Sequence, residues 1–384
     1  MSRGHRASEH GGERRSSGGG ANGVRNGVPN GVPGAAFRPG APIPSPAVQV
    51  LFATHDRFLE HVAGRHHPER PERLDAVIGG VADAHLGDTL VPFAPRPATR
   101  QELERVHDVA YLDHVEQFCA AGGGRLDPDT GASASSYDAA LLAAGAGLDA
   151  VERLERNEGD VAFCAVRPPG HHALAHRAMG FCLFNNVAVT AAHLAERGER
   201  VLIVDFDAHH GNGTQDLFYD DSRITYVSMH EWPLYPGTGA ISETGRGAGV
   251  GHTVNFPFPA GTTGDAYLAA VDDVIAPLAE EWTPTWLLIS AGFDAHRQDP
   301  LTDLGLTSGD YALLTERLVP LVGPRRVVGF LEGGYDLEGL ARSAGACVAA
   351  LAGVRYQPEM PTSSGLGRNV VDAALKIHGR AHDG

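Results

Sequence analysis

The sequence predicts an α/β domain of three layers, in which a mostly parallel β-sheet is covered by helices on both faces. From residue 48 onwards, short apolar segments rich in Val, Ile and Leu alternate with longer segments of helical periodicity. The short segments are apolar throughout, which is typical of parallel strands buried on both faces. Polar, glycine-rich motifs follow five of them, and α/β proteins place their active sites at that end of the strands.

Six strands are predicted from the apolar segments, at residues 48–53, 161–166, 201–207, 224–229, 286–290 and 327–331. Seven helices are predicted from the apolar periodicity, at residues 70–85, 109–121, 136–156, 185–197, 264–281, 308–321 and 337–352. Neither a repeat nor a second domain interrupts this alternation. Residues 46–384 are therefore expected to form a single catalytic domain, with enough apolar residues for a large core.

Residues 1–45 differ from the rest in being rich in Gly, Ser, Asn, Pro and Arg. Such a composition cannot bury enough apolar surface to order itself, so a disordered extension is predicted. Six arginines against two glutamates make this segment basic. Contact with an acidic partner is the alternative interpretation, and the plain disordered extension is favoured over it.

Composition narrows the function classes. The chain of 384 residues carries a formal net charge of −16 at pH 7, so direct binding of nucleic acid is not expected. No apolar run reaches transmembrane length and no apolar signal segment begins the chain, so we expect a cytoplasmic protein without a membrane partner. The four cysteines are scattered without C-x-x-C spacing, which predicts neither a disulfide framework nor a thiolate metal site.

The most informative segment is 201–213, where an apolar strand ends in two carboxylates and two imidazoles followed by glycines. Side chains alternate along a strand, so Asp205 and Asp207 leave it on the same side. Ionised carboxylates at the end of a buried strand are costly unless they are paired or bind a metal. Because nitrogen and oxygen donors of this kind bind zinc, the segment predicts a metal site.

Four further motifs follow other predicted strands, at residues 167–173, 229–232, 291–296 and 332–335. The carboxyl ends of parallel strands meet at one edge of the sheet, so all five motifs are expected to converge there.

Together these motifs resemble the histone deacetylase superfamily, which includes acetylpolyamine amidohydrolases and bacterial deacetylase-like amidohydrolases. The resemblance runs from about residue 56 to residue 351 and implies an arginase/deacetylase-like fold. Asn212 and the Gly292-Phe-Asp-Ala sequence resemble the class II branch. The matching segments occur in the family's order, at residues 67–73, 169–172, 180–186, 204–213, 235–239, 292–294 and 333–335.

The resemblance implies that Asp207, His209 and Asp294 bind zinc, and three protein ligands with an open position are what a catalytic zinc needs. Ferrous iron suits the same ligands. It also implies a potassium or sodium ion held by the side chains of Asp205 and Ser228 and by backbone carbonyls of Asp207, His209 and Met229. A second, more peripheral monovalent ion would use carbonyls near Phe218, Asp221, Ile224 and His252.

The resemblance assigns the proton transfers to the tandem histidines His171 and His172. Histidine titrates near neutrality, which suits a group that accepts and then returns a proton. His172 is expected to be the general base and then the general acid, while His171 orients the water. Asp205 would support His171, and Asn212 would support His172 or serve as a turn residue beside its flanking glycines. Tyr335 would donate its hydroxyl to the developing oxyanion.

The same resemblance implies a substrate channel. Phe181 and Tyr235 would form its aromatic walls, and the alternative is that either belongs to the core, Phe181 more readily than Tyr235. Gly170 would let a backbone acceptor approach the substrate N–H closely. Arg73 would line an internal channel behind the metal or form a buried ion pair. Polyamine-selective relatives carry a glutamate at the position of Leu301, and an apolar residue there disfavours that substrate class.

The sequence therefore favours a zinc-dependent amidohydrolase that removes acetyl from acetyl-lysine in proteins or peptides. An acetylated polyamine or another small amide is the alternative substrate. A binuclear ureohydrolase is disfavoured, because Asp294-Ala-His296 does not supply the second set of carboxylates. A non-catalytic binding protein is disfavoured because the metal ligands, the histidine pair and the tyrosine are all present.

Overall fold

The computed structural model describes residues 48–379. The predicted extension at residues 1–45 lies outside the described residues and stays a prediction. Eight strands form one sheet in which every neighbouring pair is parallel. Their order across the sheet is that of the residue ranges 90–93, 50–53, 161–164, 327–331, 286–291, 201–205, 224–231 and 253–258. They are β1 Val50–Ala53, β2 Leu90–Phe93, β5 Val161–Cys164, β6 Val201–Asp205, β7 Ile224–Glu231, β8 Thr253–Phe258, β9 Trp286–Ala291 and β10 Val327–Leu331. A separate antiparallel hairpin consists of β3 Gly123–Arg125 and β4 Gly131–Ser133.

Helices flank this sheet, so the α/β/α fold class predicted from the sequence is confirmed. One long helix begins at Gly264, passes through a π-helical stretch, Val271–Ile275, and ends at Trp282. The helices are α1 Glu72–Asp83, α2 Arg100–Leu103, α3 Val109–Ala120, α4 Ser136–Glu155, α5 Asn186–Glu196, α6 Asn212–Phe218, α7 Gly264–Ala270, α8 Ala276–Trp282, α9 Ser308–Leu318, α10 Leu337–Leu351 and α11 Arg368–His378.

All six predicted strands are present, and two strands of the large sheet were not predicted. Both missed strands, β2 and β8, are the edges of the sheet and contain a proline, Pro92 and Pro257. Proline removes a ladder donor and is tolerated on edge strands, so it interrupts the pattern by which central strands are recognised. The seven predicted helices are also present.

Two of the helices that the sequence did not predict have clear reasons. Helix α6 begins at Asn212 and Gly213, within the glycine-rich motif, and glycine is unfavourable in helices. Helix α11 buries only Val371, Ala374 and His378, which is a narrow apolar face. Among residues 48–379, no helix is long and apolar enough to cross a membrane.

The strand order explains how the fold assembles its site. The five strands that precede the sequence motifs, β5, β10, β9, β6 and β7, are neighbours in the sheet. Because they are parallel, all five motifs emerge at the same edge. Every residue of β6, β9 and β10 is buried, so this edge is built on a dry and rigid support.

Candidate active site

A cluster of two carboxylates and one imidazole lies at the carboxyl ends of β6 and β9. One oxygen of Asp207, one oxygen of Asp294 and one ring nitrogen of His209 lie within 4.8 Å of one another. His209 Nδ1 is 2.9 Å from Asp294 Oδ2 and 3.3 Å from Asp207 Oδ1. Both aspartates are buried, and His209 is partly accessible.

Backbone groups and two glycines hold these carboxylates. The N–H of Gly333 donates to Asp207 Oδ2 at 2.7 Å, and the N–H of Ala208 donates to Asp294 Oδ1 at 2.7 Å. A Cβ atom added to Gly292 would lie 2.0 Å from Asp207 Oδ2, and one on Gly333 would lie 2.3 Å from Asp294 Oδ2. Only glycine leaves room at these two positions, which explains their place in the motifs.

A positive charge would stabilise the two buried carboxylates of this cluster. Burial and the neighbouring Asp207 raise the pKa of Asp294 to about 7. Burial alone would lower the pKa of His209, but its hydrogen bonds to Asp207 and Asp294 raise it to about 10. Two buried carboxylates so close together are stabilised by a positive charge, either an imidazolium or a metal ion. One nitrogen and two oxygen donors fit a divalent metal such as zinc or ferrous iron.

The tandem histidines lie beside this cluster with different partners. His171 Nδ1 is 3.0 Å from Asp205 Oδ2, which also accepts a hydrogen bond from the Tyr226 hydroxyl at 3.0 Å. His172 Nδ1 is 2.8 Å from Asn212 Oδ1, and the centroids of the two histidine rings are 4.0 Å apart. The structure thus brings together each histidine and the support that the sequence predicted for it.

These partners separate the proton affinities of the two rings. Burial alone would lower the pKa of His171, but the charges of Asp207 and Asp205 raise it well above its usual value. Burial, together with the neighbouring His171 and His209, lowers the pKa of His172 well below its usual value. His172, which has a neutral amide as its partner, is therefore the ring whose neutral form is favoured.

A cavity of about 230 Å³ opens above the cluster. It contains Phe181, Tyr235 and Leu301, three of the five predicted channel residues, together with Tyr335. The Phe181 and Tyr335 rings meet edge to face at 5.7 Å, and the Tyr235 ring lies 5.3 Å from that of His172. The full lining is Asp129, His172, Gly180, Phe181, His209, Leu234, Tyr235, Leu301 and Tyr335.

The other two predicted channel residues, Gly170 and Arg73, are buried and do not line this cavity. Gly170 is buried, and its carbonyl accepts a hydrogen bond from the N–H of Ala173 at 3.0 Å. Arg73 is fully buried, with its guanidinium 4.9 Å from the centre of the Tyr335 ring. It pairs with Glu69 at 3.2 Å, so it takes part in a buried ion pair, which was one of its two predicted roles.

Arg73 belongs to a larger buried cluster. Glu69 also pairs with Arg167, through contacts of 2.5 and 2.7 Å, and lies 3.3 Å from His61 Nε2. Arg73 donates to the carbonyls of Glu332 and Gly334, at 2.5 and 2.6 Å. This cluster therefore connects the segment before α1 to the turn that carries Tyr335.

The loop that carries Tyr235 rests on a chain of buried hydrogen bonds. His210 Nδ1 is 2.8 Å from the Thr238 hydroxyl, and His210 Nε2 donates to Gln215 Oε1 at 3.0 Å. Gln215 Nε2 in turn donates to Glu243 Oε2 at 2.6 Å, and that oxygen also accepts the N–H of Gly239 at 3.2 Å. The loop is thus fixed at two points, to His210 in the metal-site motif and to Gln215 in the helix that follows it.

The groups predicted to bind monovalent cations are adjacent in part. Asp205 and Ser228 are paired residues of neighbouring strands. Asp205 already accepts hydrogen bonds at both oxygens, including one from the N–H of Asp207 at 3.1 Å. The Met229 carbonyl accepts a hydrogen bond from the Tyr267 hydroxyl at 3.4 Å. At the second predicted site, the carbonyls of Phe218 and His252 accept backbone hydrogen bonds from Asp221 and Tyr226.

Three carboxylates around the cavity were given no role by the sequence. Asp299 accepts hydrogen bonds from the N–H groups of Tyr335 and Leu301, at 2.7 and 3.0 Å, and so fixes both cavity residues. Asp129 lies in the cavity lining and accepts the N–H of Gly180 at 3.2 Å. Glu332 is buried behind the histidine pair. Only Glu332 had a signal in the sequence, because it stands at the end of a buried strand in the same motif as Tyr335.

The chain is similar to known proteins over most of its length. Residues 67–351 match the model of the histone deacetylase domain. The chain belongs to the histone deacetylase family. A probable deacetylase of Archaeoglobus fulgidus is 40% identical over 306 residues, which cover 78% of this chain and 85% of that protein.

Histone deacetylase 15 of Arabidopsis thaliana is 40% identical over 319 residues, covering 80% of this chain and 58% of the plant protein. The crystal structure of the HDA15 HD domain superimposes with a TM-score of 0.79 at 37% identity, covering 86% of this chain and 94% of that one. As a member of the histone deacetylase family, the chain is a deacetylase, a hydrolase acting on amides.

Proposed function

We propose that this deacetylase is a zinc-dependent enzyme that removes acetyl groups from acetyl-lysine side chains of proteins or peptides, with residues 46–384 as its single catalytic domain. One observation carries the proposal. His209 of the candidate metal cluster, the neutral His172 and the Tyr335 side chain all line the same cavity, whose walls include Phe181 and Tyr235, and the other two members of the cluster, Asp207 and Asp294, lie against His209. A narrow opening with aromatic walls suits an aliphatic side chain that ends in an amide.

Asp207, His209 and Asp294 would hold the metal, which supplies a Lewis acid that polarises the amide carbonyl and acidifies a water. His172 takes a proton from the attacking water and returns it to the leaving amine. Its Nδ1 is held by the Asn212 amide, which orients the ring without adding charge.

His171 and Tyr335 stabilise the charges that develop during this reaction. His171, held by Asp205, carries positive charge beside the reacting water. Burial raises the pKa of Tyr335 well above its usual value, so its hydroxyl remains protonated and can donate to the carbonyl oxygen as that oxygen becomes anionic. Zinc or ferrous iron as the metal, and potassium or sodium near Asp205 and Ser228, belong to the same proposal.

A small acetylated amine is the second candidate substrate. Asp129 is the one carboxylate in the lining of the cavity, and a carboxylate there attracts a cationic amine. Leu301, by contrast, is apolar and offers such an amine no partner. The binuclear alternative finds no support, because among residues 48–379 one candidate metal cluster is present and His296 is engaged by Glu359 at 2.8 Å.

The deciding experiment compares an acetyl-lysine peptide with acetylspermidine and acetylputrescine, using metal-loaded enzyme, chelated enzyme and Asp207→Ala. We expect turnover of the peptide that chelation abolishes and that either zinc or ferrous iron restores. Turnover of the polyamines alone would leave the mechanism in place and overturn the substrate. Peptide turnover that persists in chelated enzyme and in Asp207→Ala would overturn the metal-dependent mechanism.

A further inference from the structure

Glu332 is a buried carboxylate to which the proposed mechanism gives no task. It directly follows β10, and its side chain is fully buried. Glu332 Oε2 accepts hydrogen bonds from the N–H groups of Gly170 and His171, at 2.6 and 3.1 Å, and Oε1 accepts one from the Ser290 hydroxyl at 3.4 Å. Burial raises its pKa to about 7. Burying a carboxylate in this way is costly, and an apolar residue would avoid the cost.

Within residues 48–379 the Glu332 carboxylate forms no salt bridge, and the charge of the nearby His171 offsets only part of the cost of burying it. Arg73 donates to the backbone carbonyl of Glu332 at 2.5 Å, whereas its contact with a carboxylate is made to Glu69. The partners of the Glu332 carboxylate are instead two backbone N–H groups at the turn that carries the histidine pair. The turn also packs tightly against the start of α5, because a Cβ atom on Gly170 would lie 2.5 Å from the backbone nitrogen of Asn186.

The segment of four residues that begins at Glu332 contacts the turn of the histidine pair and one ligand of the candidate metal site, and it supplies Tyr335. The side chain of its first residue, Glu332, accepts hydrogen bonds from the backbone of the turn that carries the histidine pair. Its second residue, Gly333, donates to Asp207 Oδ2 at 2.7 Å. Its fourth residue is Tyr335, whose N–H is fixed by Asp299 at 2.7 Å. The proton-transfer groups and the oxyanion donor come from different strands, β5 and β10, and the Glu332 carboxylate bridges the turns that follow them.

We propose that Glu332 is a positioning residue, which sets the distance between the His171–His172 pair and Tyr335 by binding the N–H groups of Gly170 and His171. Its catalytic consequence rests on the function proposed above, because one amide must meet His172 and Tyr335 at the same time. Glu332 does not line the cavity, so it acts through the histidine turn and not on the substrate. A displacement of about 1 Å of a catalytic group costs about 100-fold in rate.

The test uses the full chain loaded with metal. Glu332→Gln keeps an oxygen for the two N–H groups and turns its amide toward Ser290, whereas Glu332→Met removes every acceptor at similar volume. We expect Glu332→Met to lose about 100-fold in kcat with KM within about twofold of wild type. We expect Glu332→Gln to stay within about fivefold of wild type in kcat. Both variants should retain the metal content of wild type.

Asp310 supplies the matched control. It is also a buried carboxylate that accepts backbone N–H groups, from Thr307 and Thr362 at 2.8 and 2.9 Å, but it holds no residue of the candidate site. Asp310→Asn should therefore lower the melting temperature and leave kcat unchanged. If Glu332→Met does not fold, Glu332→Asp replaces it: this variant keeps the charge, retracts it by one methylene and is expected to lose at least tenfold in kcat.

Amide hydrogen exchange of residues 168–173 gives a readout that needs no activity. Protection there should fall in Glu332→Met and be retained in Glu332→Gln. If the wild type hydrolyses no amide, the proposed function fails, and the exchange experiment still decides whether Glu332 holds the turn. Wild-type kcat and protection in Glu332→Met would overturn the inference, and so would equal losses of kcat and protection in the Gln and Met variants.

Discussion

Replacing Glu69 by glutamine removes the single carboxylate shared by two fully buried arginines. In the wild type, Glu69 pairs with Arg167 at 2.5 Å and with Arg73 at 3.2 Å, and all three side chains are inaccessible to solvent. Burial alone would raise the pKa of Glu69, but the charge of Arg167 and the hydrogen bond with His61 lower it well below its usual value. In the variant, both guanidinium groups keep backbone carbonyls as partners and lose their counter-charge.

The size of the effect follows from that loss. Breaking a buried ion pair by removing one partner costs about 3–5 kcal/mol, because the remaining charge stays buried. A domain of about 330 residues unfolds with an entropy of about 0.7 kcal/mol/K, so the melting temperature should fall by about 4–7 °C. Activity should fall as well, because Arg73 lies over the Tyr335 ring.

The assay is urea unfolding and calorimetry at pH 7, with wild type, Glu69→Gln and an exposed control. Asp220→Asn is that control. Asp220 Oδ2 lies 3.1 Å from Arg246 Nη2, and both side chains are more than half exposed. It should change the free energy of unfolding by less than about 1 kcal/mol. The folded pKa of Glu69 is depressed, so its stabilisation is complete above its unfolded pKa and is lost as the pH falls below that value. A Glu69→Gln melting temperature within 1 °C of wild type would refute the reasoning.

Three further predictions concern the tyrosine, the channel loop and the C-terminal segment. Tyr335→Phe should keep its metal and lose about 100- to 1,000-fold in kcat, measured on the acetyl-lysine peptide; full activity would refute the proposed oxyanion role. Gln215→Glu places a second carboxylate against Glu243, so the loop that carries Tyr235 should lose this anchor and KM should rise. Adding Glu243→Gln restores a donor and an acceptor and should return KM to the wild-type value. A double variant with a KM no lower than that of Gln215→Glu would contradict the role of this hydrogen bond in anchoring the loop. Glu359 has its pKa lowered to about 2, because hydrogen bonds with His296 and the backbone outweigh burial. Glu359→Gln should therefore be less stable than wild type at neutral pH, with the difference shrinking as pH falls from about 4.5 to 2; a difference independent of pH would count against this assignment.

The central strands were recognisable from the sequence because their partners lie on both sides. A strand such as β6, buried along its whole length, has an apolar side chain at nearly every position. The edge strands β2 and β8 pair with one neighbour each, so one side of each strand needs no hydrogen-bond partner in the sheet and can contain proline or asparagine. In a sequence these two residues indicate a loop. Their existence was decided by pairing with strands that are distant in the chain.

The candidate site also contains residues that local sequence predicts and residues that only packing brings together. By itself the sequence determined the fold class, the family resemblance and the candidate metal, histidine and tyrosine residues, because these stand in short motifs at strand ends. Only the tertiary structure decided which buried carboxylates support these residues. Glu69 binds both Arg73 and Arg167. Asp299 accepts the N–H of Tyr335, and Glu332 accepts the N–H groups of the histidine turn. These partners are 4 to 162 residues apart in the chain. A buried carboxylate is stabilised by whichever donors the packing brings to it, and no local pattern specifies which those will be.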